Sequence, residues 1–298
     1  MAPPSPLTMT SEVMAVRIAS GEGRSTKPMT THHALFGPML RQHRVARRLS
    51  QEVMAHHAEV STRHLSCLET GRASPSREMV LVLGSALDLP LRDRNTLLAA
   101  AGYAPVYSAS PLDGAALEPV RRAIDHLLAA HEPFGAVVVD RDWNVLRMNE
   151  GAQRLLGWAL EGLSPPPEAL RNVVAATLLP GALRERIVNF AEVAATLADR
   201  AQRSLAVEAD SARRAMLLEW IALADDGTRA GVAPSTGPFV PLHLRRGGEE
   251  LRLFTTLTTL GTPIDVTAQE VHIESYFPAD DATEQRLRAL ARHHAPGR

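Results

Sequence analysis

Arg63 stands two residues after a serine in the stretch LSQEVMAHHAEVSTRHLSCLETGRASPS, residues 49 to 76. If Ser61 caps a helix, the outward face of that helix carries Thr62, Arg63, Ser66 and Cys67. These groups can bond base edges and phosphates. An arginine can bond guanine through two N–H donors, worth about 1–3 kcal/mol of discrimination. Gln51, at the start of the preceding helix, can aim its side chain and the first helical amides at a phosphate. Arg41, Arg44 and Arg72 add candidate phosphate contacts. The chemistry these types and spacings suggest is recognition of double-stranded DNA.

Such a reading helix needs a frame, and the flanking sequence supplies one. A first helix is expected from Leu35 to Arg47, with Leu35, Met39 and Leu40 as its apolar stripe. Ser50 caps a second over 51–58, and Ser61 caps the third, which ends near Thr70. Ala55 and Ala58 are small enough for a helix crossing, while Val60, Leu65 and Leu68 pin the third helix to the body. Gly71 fits the left-handed position after a helix. Pro75 and Ser76 open a fourth helix with the stripe Val80, Leu83 and Leu87, and a fifth follows Pro90 and ends at Gly102. Glu59 falls in the turn where a left-handed residue is needed, at a cost of about 1 kcal/mol for a non-glycine.

Charge supports a polyanion partner for this part alone. Residues 31–104 hold nine arginines and six acidic residues, a surplus of three, and residues 1–30 add one more. The whole chain is at −1, so residues 105–298 carry −5. The single cysteine, Cys67, rules out an internal disulfide and a Cys-based zinc site, which points to a reducing cytoplasm. No apolar run approaches the roughly 18 residues that span a bilayer, so no membrane partner is expected. Residues 1–30 read as a disordered tail without a signal peptide, with Met9, Met14 and Met29 as alternative starts.

The organisation changes after the segment 105–116, which is rich in Pro, Ser and Gly and reads as a linker. From 117 onward the order is a helix to about 130, a hairpin in 134–149 turning at Arg141-Asp142, a helical insert, and three further strands over 239–246, 250–260 and 269–277. A last helix covers 281–293. Within the insert, one long helix is expected from Leu183 to about Leu205 and another from Ser211 to Ala224. The fold class is therefore an all-α, five-helix domain over 31–104 followed by an α+β domain over 117–298. Trp158, Phe190 and Trp220 of the insert can close over the sheet, with Phe254 on a strand, and leave an apolar cavity for a small molecule. No Gly-rich phosphate loop, serine elbow or His-Glu-x-x-His is found, and no catalytic residue or metal ligand set is nominated. His243 and His272 read as strand residues, and Asp140 and Asp142 as turn residues.

Two resemblances sharpen this reading. Leu49-Ser50-Gln51-Glu52, Met54-Ala55, Val60-Ser61, Leu65, Leu68-Glu69, Gly71-Arg72 and Pro75-Ser76 resemble the lambda-repressor-like, XRE-type helix-turn-helix family. That family usually has glycine where this chain has Glu59. LLAAAGYAP, FGAVVVDRDWNVLRMNEGAQRLLG, LRNVV, RIVNFAE, TLTTLGTPIDVT and IESYFPAD resemble the MmyB-like bacterial regulators. The second resemblance implies a PAS-like domain that binds a small apolar ligand such as a fatty acid, with no other cofactor. By it, Arg171, Asn172 and Asn189 bond a polar head or brace the insert. Related sequences often carry Arg and His where this chain has Ala175 and Leu179, which implies a more apolar pocket here. The expected protein is a homodimeric, ligand-responsive transcription regulator, with half-sites about one helical turn apart. Two other readings stay open at this point: a helix-turn-helix bundle that binds protein, and an enzyme with an unrecognised site.

Overall fold

The computed structural model describes residues 33–208, 210–225 and 240–293. The tail read over 1–30, its alternative starts and His294 lie outside the described residues. The N-terminal part is built from α1 (His33–Ala46), α2 (Gln51–His57), α3 (Thr62–Glu69), α4 (Arg77–Ala86) and α5 (Leu91–Ala100). Ser50, Ser61 and Ser76 cap α2, α3 and α4, each side chain accepting from the backbone N–H three residues on at 3.1 Å. Each of the five helices ends on a left-handed residue, in turn Arg48, Glu59, Gly71, Asp88 and Gly102. After each, the next backbone N–H reaches back to the carbonyl five residues earlier: Leu49 to Arg44, Val60 to Ala55, Arg72 to Cys67, Leu89 to Gly84, Tyr103 to Leu98. In four of the five, that donor residue is apolar or aromatic and rests on the core. The turn at Glu59, with φ 54°, is thus one instance of a repeated device, and packing of the following residue sustains it.

Phe36, Leu40, Met54, Leu65, Leu68, Leu83, Leu97 and Leu98 form the core of this head. The expected stripe of α1 is corrected. Leu35 is 62% exposed, whereas Phe36 and Leu40 are buried, because the inward face runs 36, 40, 43, 44. Arg44 therefore points inward. Its guanidinium donates to both carboxylate oxygens of Glu69 at the end of α3, at 2.6 and 3.0 Å, and to the Leu49 carbonyl at 2.8 Å. Gln51 of α2 donates to the same carboxylate at 2.7 Å. One buried carboxylate thereby joins α1, α2 and α3. Gly37 lets α1 approach closely, since a Cβ there would meet the Glu69 carbonyl oxygen at 2.5 Å. His43, also inward, is 3% exposed, and burial reinforced by the nearby Arg47 charge lowers its pKa to about 4.

The second part opens with a 3-10 turn (Ala115–Leu117) and α6 (Glu118–Ala130), then β1 (Ala136–Val139) and β2 (Val145–Met148). The insert follows as α7 (Glu150–Leu160), α8 (Val173–Leu178), a 3-10 turn (Leu183–Arg186), α9 (Phe190–Leu205) and α10 (Ser211–Ala224). It ends with β3 (Leu242–Arg246), β4 (Glu249–Thr259), α11 (Val266–Glu270), β5 (His272–Pro278) and α12 (Asp281–His293). The sheet is antiparallel, in the order β2-β1-β5-β4-β3. Both faces of β1 are buried, as its unbroken apolar run implies. Ala136 and Val138 meet Ile124 and Leu128 of α6, while Val137 and Val139 face the insert.

Two expectations for this domain are corrected. The single helix from Leu183 to Leu205 is broken at 187–189, where Ile187 bridges Leu244 and the Val188 N–H donates to the His243 carbonyl. Asn189 fixes that break by donating to the Pro241 carbonyl and accepting from the His243 N–H. The strand expected from 269 starts at His272, because Asp265 caps α11 just before it.

The linker is strapped down at both ends. Asn95 of α5 holds the backbone of Val106 and Tyr107, and Asp265 accepts from the Ser110 N–H at 3.0 Å. The head docks through α5 on α11. Arg92 pairs with both oxygens of Glu270 at 2.6 Å, and Gln269 accepts from the Leu91 N–H at 2.6 Å.

Candidate DNA interface and ligand cavities

Thr62 and Arg63 are exposed on the first turn of α3, with Ser66 and Cys67 partly exposed further along. Ser61 and Arg72 are exposed at the two ends of the helix, and Arg41 is exposed on α1. This surface offers Arg63 as a forked donor and two neighbouring hydroxyls. Arg44 contradicts the expectation of a phosphate contact, because it is buried and spent on Glu69. Gln51 is half-committed to the same carboxylate. Burial alone would push the Glu69 carboxyl up, but hydrogen bonds from Arg44 and Gln51 and the charges of Arg44 and Arg41 hold it below the usual range. The pair thus sets the angle at which α3 is presented, from beneath the surface that would meet DNA.

In the second domain, a cavity of about 210 Å³ lies between α7, α8 and the inner face of the sheet. Val137, Met148, Leu155, Val173, Ala176 and Leu244 form part of its wall. Leu170 and Gly157 line it and are exposed, so it opens there. Two polar side chains reach it, and both are occupied. Tyr276 O–H donates to Glu274 at 3.0 Å. Asn172 gives its amide hydrogens to the Asp142 carbonyl and Asn144 Oδ1, and its oxygen caps α8 by accepting from Ala175 N–H. The walls offer no free charge to a ligand.

Comparison with known families matches this arrangement. The family described as "MmyB-like transcription regulator ligand binding domain" matches residues 120–290, and the one described as "Helix-turn-helix domain" matches residues 35–97. The chain belongs to the MmyB-like transcription regulators. It is accordingly a ligand-regulated transcription regulator that joins a helix-turn-helix head to an α+β, PAS-like domain. No curated protein matches it. A solved structure titled "Structure of an RNA-binding Light-Oxygen-Voltage Receptor" aligns with 94% of this chain and 70% of that chain, at 16% identity and a TM-score of 0.23. That likeness is too slight to carry any argument.

Of the side chains expected to meet a ligand in this MmyB-like regulator, Asn172 lines the apolar cavity. The others stand elsewhere, for identifiable reasons. Arg171 is exposed next to the mouth residue Leu170 and borders a shallow groove that also includes Trp220. Asn189 is consumed in bracing β3. Trp158 packs in the core and donates its indole N–H to Glu249 at 2.9 Å. Phe190 lies under the Arg184 guanidinium, 4.3 Å from its centre. Phe254 is on the opposite face of the sheet, stacked on Phe277 with centroids 5.1 Å apart. The cavity is instead walled by aliphatic residues of α7, α8 and β3. Sequence pattern marks these as core, and nothing local distinguishes a core face that is filled from one that is not.

Among the described residues, no group of three or more His, Cys, Asp or Glu could hold a metal ion. Nor is any described helix long and apolar enough to cross a membrane.

Proposed function

We propose that this regulator binds specific DNA sequences as a homodimer and that a small apolar, fatty-acid-like ligand in the cavity beside Ala176 controls the binding. The observation that carries the ligand reading is the cavity itself, with aliphatic walls and no uncommitted polar group. At about 210 Å³ it is smaller than the roughly 300 Å³ at which typical ligand sites begin, yet larger than a roughly 150 Å³ apolar cavity that holds benzene. A short acyl chain suits it. Its head group would sit at the mouth, beside Arg171. The DNA reading rests on the exposed turn Ser61 to Arg63, on Arg41 and Arg72, and on the surplus of arginine in the head.

Native mass spectrometry of the full chain with added octanoate and decanoate tests the ligand reading. One bound molecule per chain is expected, lost on Ala176→Trp, which fills the cavity. Equal uptake by that variant, or none by the wild type, contradicts it.

A further inference from the structure

A second chamber, of about 320 Å³, lies across α8 from the apolar cavity, between α9, α10 and the β4–β5 floor. α8 separates the two: Val173 and Ala176 face the first, and Val174 faces the second. The second chamber is of a different kind. Three arginines line it, Arg141, Arg200 and Arg213, and no carboxylate does. Arg141 and Arg213 are already engaged, with Glu208 at 2.8 and 2.5 Å, and Arg213 also with Asp142 at 2.5 Å. Arg200 makes no hydrogen bond or ion pair among the described residues. Its guanidinium lies 4.7 Å from the centre of the Trp143 ring, in a chamber also lined by Trp220, Leu217, Leu257, Ser204 and His272.

A half-buried guanidinium without a direct ion-pair partner can take an anion, and its planar fork matches a carboxylate. Burial lowers the pKa of Arg200, and the Arg203 charge adds to this against the opposing pull of Glu274. Glu274, the register partner of Leu257, attracts Arg200 without bonding to it. That carboxyl takes the Tyr276 O–H and forms no ion pair with Arg200 among the described residues, and burial raises its own pKa. Arg200 therefore has no ion-pair partner among the described residues and stands beside two indole rings.

We propose that this chamber binds a small organic monoanion, a carboxylate on a compact aromatic or apolar body, with Arg200 as its counter-ion. The proposal rests on the reading of this domain as ligand-binding. A single spare charge favours a monoanion over a phosphate dianion, and the two tryptophans favour a flat apolar body. The position also has a consequence for the head. Arg141 reaches Glu270 at 3.4 Å, and Glu270 holds Arg92 of the DNA-binding domain. An anion in the chamber competes for Arg141 and so changes how Glu270 is shared between Arg141 and Arg92, the contact that fixes the head.

The test uses the full chain without DNA and follows tryptophan emission, since Trp143 and Trp220 wall the chamber. Phenylacetate, benzoate and 3-phenylpropionate are titrated beside their neutral amides. At least one acid is expected to change the emission saturably, with an affinity ten-fold or more above that of its amide. Arg200→Met should remove that advantage, while Arg171→Met should keep it. If Arg200→Met does not fold, Leu257→Trp, at an exposed sheet position on the chamber wall, should block binding with Arg200 in place. Equal binding of acid and amide, or an acid that binds the Arg200 variant as well as the wild type, overturns the proposal. So does failure of every acid to bind. Octanoate uptake and DNA binding, measured separately, show whether the wider ligand-binding reading survives that outcome.

Discussion

Removing the carboxylate of Glu69 should destabilise the head although Glu69 lies outside the reading face. Its side chain is 2% exposed and that of Arg44 is 10% exposed. Glu69→Ala leaves a guanidinium and the Gln51 amide without their acceptor. Breaking a buried pair by removing one partner costs about 3–5 kcal/mol. Arg44 keeps its bond to the Leu49 carbonyl, so the lower figure, about 3 kcal/mol, is expected. For a domain of this size, each kcal/mol moves the midpoint by about 4–8 °C, so the head should melt at least about 12 °C lower.

Differential scanning calorimetry reads this directly. Urea unfolding followed by far-UV circular dichroism is the complement, because Trp143, Trp158 and Trp220 all lie in the second domain and do not report on the head. Replacing both partners, with Arg44→Met and Glu69→Leu together, should recover most of the loss, since an apolar pair needs no counter-charge. The pH dependence has a definite sign. The folded pKa of Glu69 lies below its unfolded value, so the stabilisation is complete above the ordinary carboxylate pKa of about 4.3. It is lost as pH falls through the lower, folded value, and Glu69→Ala should lack that part of the acid slope. A cost below about 1 kcal/mol for Glu69→Ala would show that the buried pair does not hold the helices together, and the reasoning would fail.

Two further variants probe the same frame. Glu59→Gly should raise head stability by up to about 1 kcal/mol, seen in the calorimetric midpoint, because φ 54° suits glycine. It should also tighten DNA binding at low salt by removing an exposed negative charge, and a loss on either measure would refute this. Gly37→Ala should cost about 1–3 kcal/mol by forcing α1 away from the Glu69 carbonyl, and an unchanged urea midpoint would show that the close approach is dispensable.

Much of the head is legible in its sequence because its determinants are local. Ser50, Ser61, Ser76 and Gly71 mark helix ends through bonds that span three to five residues. The bounds of α10 and α12 are likewise set by their own patterns. What escapes is tertiary. Arg44 reads as one more basic residue on a polar face, and its burial depends on a carboxylate 25 positions away. Leu35 reads as core because the stripe can be phased either way until α1 packs on α3 and α5 and buries Phe36. The break at 187–189 is imposed by β3, which is more than 50 residues distant. Aromatic residues draw attention as ligand contacts, yet Trp158, Phe190 and Phe254 find partners within the protein. Arg200 attracts no notice on an amphipathic helix, because only the fold shows that it lies over Trp143 with no ion-pair partner among the described residues.

Selection of DNA from a random pool at defined salt, followed by titration of the selected site with and without octanoate, tests the central claim most directly. An enriched motif of two half-sites about one helical turn apart, affinity that falls steeply with salt, and an affinity shifted by octanoate are expected. Arg63→Ala should relax base preference at one position in each half-site, by about 1–3 kcal/mol. No enriched motif, or an affinity indifferent to both salt and octanoate, would contradict it.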